Sequence, residues 1–202
     1  MIMGTYVSDF FDRIYVLIKL SLMFWIMTMM GGVVLGIGPA FSSVVQLYTD
    51  HEWTHRDMRW KQIGTLFVSN FKRGNMIFYT YFLIIAVLAY NMYLAVQIRG
   101  IAILFVQFLI AAAFVLTVCA YLYAVLIDNN FEISYKNLLK LSAIAVMGNF
   151  FSVLKLLLAM IVVGFITSKY MGLLPFLTIG MITVLVSRIG KPMIVTIDEH
   201  IG

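Results

Sequence analysis

The chain has 202 residues, of which 63% are hydrophobic and 11% charged. A soluble domain carries about 25% charged residues, so this composition excludes a water-soluble globular protein and predicts an all-α, polytopic membrane protein with a single domain over 1–202. The net charge of +5 is small and clusters beside apolar runs, so anionic lipid headgroups and the positive-inside rule account for it without nucleic acid.

Residues 1–13 mix Tyr6, Phe10 and Phe11 with Asp9, Asp12 and Arg13 and read as an amphipathic start to the first helix. The first apolar run has acidic residues ahead of it and is too long for the core of a cleaved signal, so it is expected to stay as a span over 14–37. Lys19 can snorkel from its beginning, and Gly31 and Gly32 permit close packing or a kink. Gly38-Pro39 is expected to break the helix, with Pro39 opening the next one. A re-entrant hairpin turning at 36–39 is the alternative for residues 14–49.

The polar interruption at 36–73 is the longest in the chain. Its second half has two faces. Trp60, Ile63, Phe67 and Phe71 repeat at three and four residues, while Lys61, Gln62, Thr65, Ser69 and Lys72 fall elsewhere. An apolar stripe edged by Arg59, Lys61, Lys72 and Arg73 reads as a helix in the cytoplasmic interface, its cations facing headgroups or an acidic partner.

The second span is placed at 76–96, with Tyr79 and Tyr81 near one end and Tyr90 and Tyr93 near the other. Arg99-Gly100 is a turn. The third span covers 101–127 and Asp128-Asn129-Asn130 is expected to end it. The single cysteine, Cys119, lies inside this run and reads as packing. If 134–148 lies on the surface as a second interfacial helix, the fourth span is 149–169 and Lys155 snorkels from its cytoplasmic end instead of sitting at mid-bilayer. Two stretches echo one another: Trp60-Lys61 leading to Asn70-Phe71, and Tyr135-Lys136 leading to Asn149-Phe150. The fifth span is 171–187, lightly broken by Pro175 and closed by Arg188, Lys191 and Pro192.

About five spans put Arg56, Arg59, Lys61, Lys72, Arg73, Lys136, Lys140, Arg188 and Lys191 on one side and Arg13, Lys19, Arg99 and Lys169 on the other. The richer side is assigned to the cytoplasm, giving an N-terminus outside and a C-terminus inside.

For chemistry, His51-Glu52-Trp53-Thr54-His55 matches H-E-x-x-H, the zinc motif in which a helix presents two histidines one turn apart with a glutamate base. It sits in a charged loop with no third ligand nearby, so a solvated loop is the preferred reading and a metallopeptidase using His51, Glu52 and His55 the alternative. With three histidines, a four-histidine iron site is excluded. All acidic residues fall outside the expected spans, which argues against an ion-coupled transporter. An uncoupled channel or small transporter built by oligomerisation stays open, and no cofactor is expected.

At Gly38-Pro39-Ala40, again at Phe67-x-x-Asn70-Phe71-Lys72, and across 121–141, the chain resembles the YesL-like family of bacterial membrane proteins, whose function is unknown. It departs from the family pattern before Gly-Pro-Ala, where Gly31-Gly32 and Leu35 stand in place of proline and threonine. The resemblance implies a bacterial cytoplasmic-membrane location. It also implies an accessory role beside carbohydrate ABC importers, with importer membrane subunits and the lipid bilayer as partners.

Overall fold

The computed structural model describes the backbone of residues 2–54 and 56–201 and the side chains of 10–54 and 56–199. Every regular element among them is helical: α1 (Ile2–Met30), α2 (Ile37–His51), α3 (Trp60–Ser69), α4 (Phe71–Val96), α5 (Ile101–Asn130), α6 (Tyr135–Gly148), α7 (Phe150–Lys169) and α8 (Ile179–Ile201), the last preceded by a π-helical turn at Leu174–Thr178. Five stretches are long and apolar enough to cross a bilayer: Phe10–Met30, Phe71–Val96, Ile101–Asn130, Phe150–Lys169 and Leu174–Glu199. The chain is the all-α, multi-pass membrane protein that its composition predicts.

The first span does not run to residue 37. It stops at Met30, because Gly32 takes a left-handed backbone at φ +77°. The Gly32 N–H then donates to Met29 O and the Val33 N–H to Thr28 O, closing the end of the helix with a Schellman motif. Gly36 returns against Thr28, so the chain turns at 31–36 and folds α2 back along α1. This is the hairpin alternative, with its turn earlier than 36–39. The break lies ahead of Gly38, and Pro39 opens the next helix as expected: Gly38, Pro39 and Ala40 are in the first turn of α2, where a proline costs no intrahelical hydrogen bond, and all three are buried.

α2 is the hub of the bundle. It packs against α1, α3, α4, α5 and α8. Fifteen residues make it about 22 Å long, too short to score as a span on hydropathy. Its polar side chains are accommodated by protein partners in place of water. Ser43 donates to Pro39 O at 2.7 Å and Thr49 to Val45 O at 2.9 Å, and Ser42 donates to Asn129 Oδ1 at 3.1 Å.

The fold corrects the expected separation of the basic residues. Trp53, just beyond α2, has the Arg13 guanidinium 5.5 Å from its ring centroid and that of Arg188 at 5.2 Å. The start of α1, the end of α2 and Arg188 on α8 therefore share one end of the bundle. An alternation of five spans with the N-terminus outside would set Arg13 opposite the other two.

Other boundaries move for local reasons. α5 continues through Asp128, Asn129 and Asn130, because the Asn130 side chain bonds back to Leu126 O and the Asp128 and Asn129 side chains have partners on α4 and α2. An acidic residue thus lies within a span-length helix, contrary to expectation. α8 runs on through Pro192 to Ile201. Lys155 is exposed in the second turn of α7, where snorkelling places it. The sequence echo has a structural meaning: Asn70 joins α3 to α4, and Asn149 joins α6 to α7, each as the single residue between a short helix and a span.

Candidate functional site: the basic face of α3

The residues singled out between 59 and 73 divide into an inner and an outer set. Ile63 and Phe67 are buried, and Phe67 reaches the α1–α2 turn at Gly31. Asn70 Nδ2 donates to Gln46 Oε1 at 2.9 Å and lies 3.4 Å from Ser43 Oγ, tying the α3–α4 joint to α2. Arg73 was expected on the surface, but its Nε donates to Asp128 Oδ1 at 2.5 Å and its second guanidinium nitrogen to Ile133 O at 2.6 Å. These four are fasteners.

The outer set is Arg59, Trp60, Lys61, Phe71 and Lys72, all exposed. Trp60 and Phe71 therefore leave the expected stripe, which is buried only at its two middle positions. Trp60 stands at the first position of the ten-residue α3, beyond its two-residue underside, and Phe71 is already the first residue of α4, across the Asn70 joint. Val68, 75% exposed, adds to the outer face. The result is a set of exposed cationic and aromatic side chains on α3 and the first turn of α4, with Ile63 and Phe67 anchoring the underside of α3. Surfaces of that composition, aromatic and arginine-bearing, recur at protein interfaces.

The H-E-x-x-H stretch does not form the helix its chemistry requires. α2 ends at His51, and Glu52 leaves the helix at φ +47°. His51 Nε2 accepts from the Gln62 amide at 2.7 Å, and Glu52 pairs with Lys191 at 3.0 Å. His55 lies outside the described residues. The motif is split between a helix end and a turn, so His51 and Glu52 are engaged with α3 and α8, not turned to a common centre.

The motif residues Gly38, Pro39, Ala40, Phe67, Asn70 and Phe71 all belong to one packed unit of α1 to α4, with Gly38 and Pro39 against Gly74. Residues 17–92 match the family model described as "Protein of unknown function, DUF624". This agrees with the YesL-like resemblance. The DUF624 segment takes in α1 from Leu17, the hairpin turn, α2, α3 and most of α4, so the match and the packed unit nearly coincide. No curated protein and no solved structure matches the chain. Sequence reading missed Tyr48, Trp53 and Arg188, which the fold brings together at the far end of α2. No spacing rule reaches across that separation.

Proposed function

We propose that the protein is a non-enzymatic accessory subunit of the bacterial cytoplasmic membrane that docks on the membrane subunits of a carbohydrate ABC importer through the outer face of α3. The importer comes from the family resemblance. The observation that carries the docking surface is the division of labour on α3. Ile63, Phe67, Asn70 and Arg73 are spent internally, while Arg59, Trp60 and Lys61 at the start of α3 and Phe71 and Lys72 in the first turn of α4 are left outward.

The test is copurification in mild detergent at low and high salt. Arg59→Glu with Lys61→Glu is expected to leave the protein inserted and folded and to release the importer subunits, most strongly at low salt, where charge attraction is largest. Importer subunits retained by the reversed protein at both salt levels would show that the face is a lipid anchor and a topology signal. A wild type that brings down no importer subunit rejects the importer reading itself.

We further propose that both termini lie in the cytoplasm. The contact of Arg13 and Arg188 with one indole supports this. α2 acts as an additional return stroke, and moving Arg13 to the basic side strengthens the positive-inside imbalance. With Cys119 replaced by serine, single cysteines at Thr5, Thr54 and Gly202 should all be protected from an impermeant thiol reagent on intact cells, and one at Gly100 labelled. Labelling at Thr5 with protection at Gly202 restores the simple five-span alternation.

A further inference from the structure

Three segments far apart in sequence meet at the end of α2. Trp53 stands edge-on to Tyr48, with ring centroids 5.6 Å apart and planes at 84°. The guanidiniums of Arg13, from α1, and Arg188, from α8, both lie against the Trp53 ring. Beside this stack, a cavity of about 190 Å³ opens between α2, α5 and α8. Tyr48, Thr49, Glu52, Asn130, Ser187, Arg188 and Lys191 form its polar wall, and Leu126, Ile194 and Val195 its apolar wall.

The electrostatics of this corner are incomplete. Among the described residues, neither Arg13 nor Arg188 makes an ion pair with a carboxylate, and Glu52 on the cavity wall is taken by Lys191. A cation–π contact holds a guanidinium without neutralising it, so two like charges are gathered on one ring and repel. The hydrogen bonding is incomplete as well. Tyr48 and Ser187 are 2% and 9% exposed and both face the cavity; among the described residues the Ser187 hydroxyl and the buried Trp53 indole N–H beside them have no partner, and the Tyr48 hydroxyl has only Arg188 within reach. Buried polar groups in native folds are hydrogen-bonded as a rule, and an exception calls for a partner such as an ordered water or an ion.

We propose that this cavity binds a phosphate-bearing anion, a net-anionic phosphate ester whose oxygens accept from Arg188, Tyr48 and Ser187 and whose substituent lies along Leu126 and Ile194. A guanidinium fork matches phosphate geometry, and several convergent donors suit an oxyanion with more than two acceptor oxygens. The cavity is smaller than the roughly 300–1,000 Å³ of sites that enclose a whole drug-sized ligand, so it takes a headgroup with the remainder outside. Basic pockets between membrane helices hold anionic headgroups in this way. The site is separate from the outer face of α3 and stands independently of docking.

The full-length protein in neutral detergent is unfolded thermally at constant ionic strength while inorganic phosphate, glycerol 3-phosphate, short-chain phosphatidylglycerol or short-chain phosphatidylcholine is titrated. At least one of the first three is expected to raise the midpoint saturably, and phosphatidylcholine not. A response to phosphatidylglycerol alone assigns the site to a lipid headgroup; a response to the soluble esters assigns it to a free phosphate compound. Arg188→Gln should raise the concentration required by on the order of tenfold or more, since a charge-assisted hydrogen bond is lost. Tyr48→Phe should raise it less, and Arg99→Gln should change nothing. Lys191→Gln, at a side chain 70% exposed, carries the test if Arg188→Gln does not fold. No saturable response to any anionic probe, an equal response to phosphatidylcholine, or an undiminished response in the folded pocket variants overturns the proposal.

Discussion

Gly74→Val is expected to destroy the fold, whereas Gly164→Ala is expected to leave it intact or improve it. A Cβ on Gly74 would stand 2.9 Å from Pro39 Cα and 3.0 Å from Pro39 N, and one on Gly38 would stand 2.7 Å from Gly74 O. Here backbone meets backbone, and no flexible side-chain end can yield. Overpacking where side chains can adjust costs about 1–3 kcal/mol; at this crossing α2 and α4 must separate. The loss would extend to the Phe41–Tyr121 and Phe78–Tyr121 ring contacts and to the Asn70 tether. We expect more than ~3 kcal/mol, a large share of a domain's ~5–15 kcal/mol. Gly164 meets nothing within 4 Å, so alanine gains helix propensity there, up to about 1 kcal/mol. Size-exclusion behaviour and thermal unfolding in detergent measure both. A monodisperse Gly74→Val protein with the wild-type midpoint would show that the α2–α4 crossing is not a point of close approach.

Arg73→Met is expected to cost on the order of 3 kcal/mol, because it leaves Asp128 buried without its counter-charge. The Asp128 side chain is 7% exposed and that of Arg73 40%, which places the loss at the low end of the range for broken buried pairs. The guanidinium also satisfies Ile133 O, just past the end of α5. Arg73→Met combined with Asp128→Leu should recover much of the loss, since the uncompensated carboxylate disappears. A double-mutant cycle on unfolding free energies reads this directly. If the two single losses simply add in the double variant, the residues are not coupled and the ion pair holds nothing.

The spans were legible because a bilayer-crossing helix declares itself by length and uniform apolarity. The joints at Asn70 and Asn149 were legible through the echo of aromatic-lysine and asparagine-phenylalanine pairs. α2 was not legible. Ser42, Ser43, Gln46, Thr49 and Asp50 give 37–51 the look of a loop, but four of those side chains are bonded inside protein, Ser42 to Asn129, Gln46 to Asn70, and Ser43 and Thr49 to carbonyls of α2 itself. Gly-Pro was rightly read as the opening of a new helix, but the break itself falls earlier, at the left-handed Gly32. Arg73 and Lys72 look alike in sequence, and what separates them is an aspartate fifty-five positions on. Trp53 was hidden inside a metal motif, between the residues that drew attention to themselves.

The bare-backbone crossing at Gly74 also fixes where α4 can pivot. Beyond it, the helix runs on to Val96, roughly 33 Å at 1.5 Å per residue, with the exposed Phe82, Leu83 and Tyr90 along that length and α5 as its main support. Such an arm multiplies angle into distance: about 5° of rocking at the fulcrum would sweep the Gly100 tip by about 3 Å, the scale of helix shifts in known conformational switches. A load applied at the α3 end, through the Asn70 tether, would thus be geared up at the Gly100 end of α4.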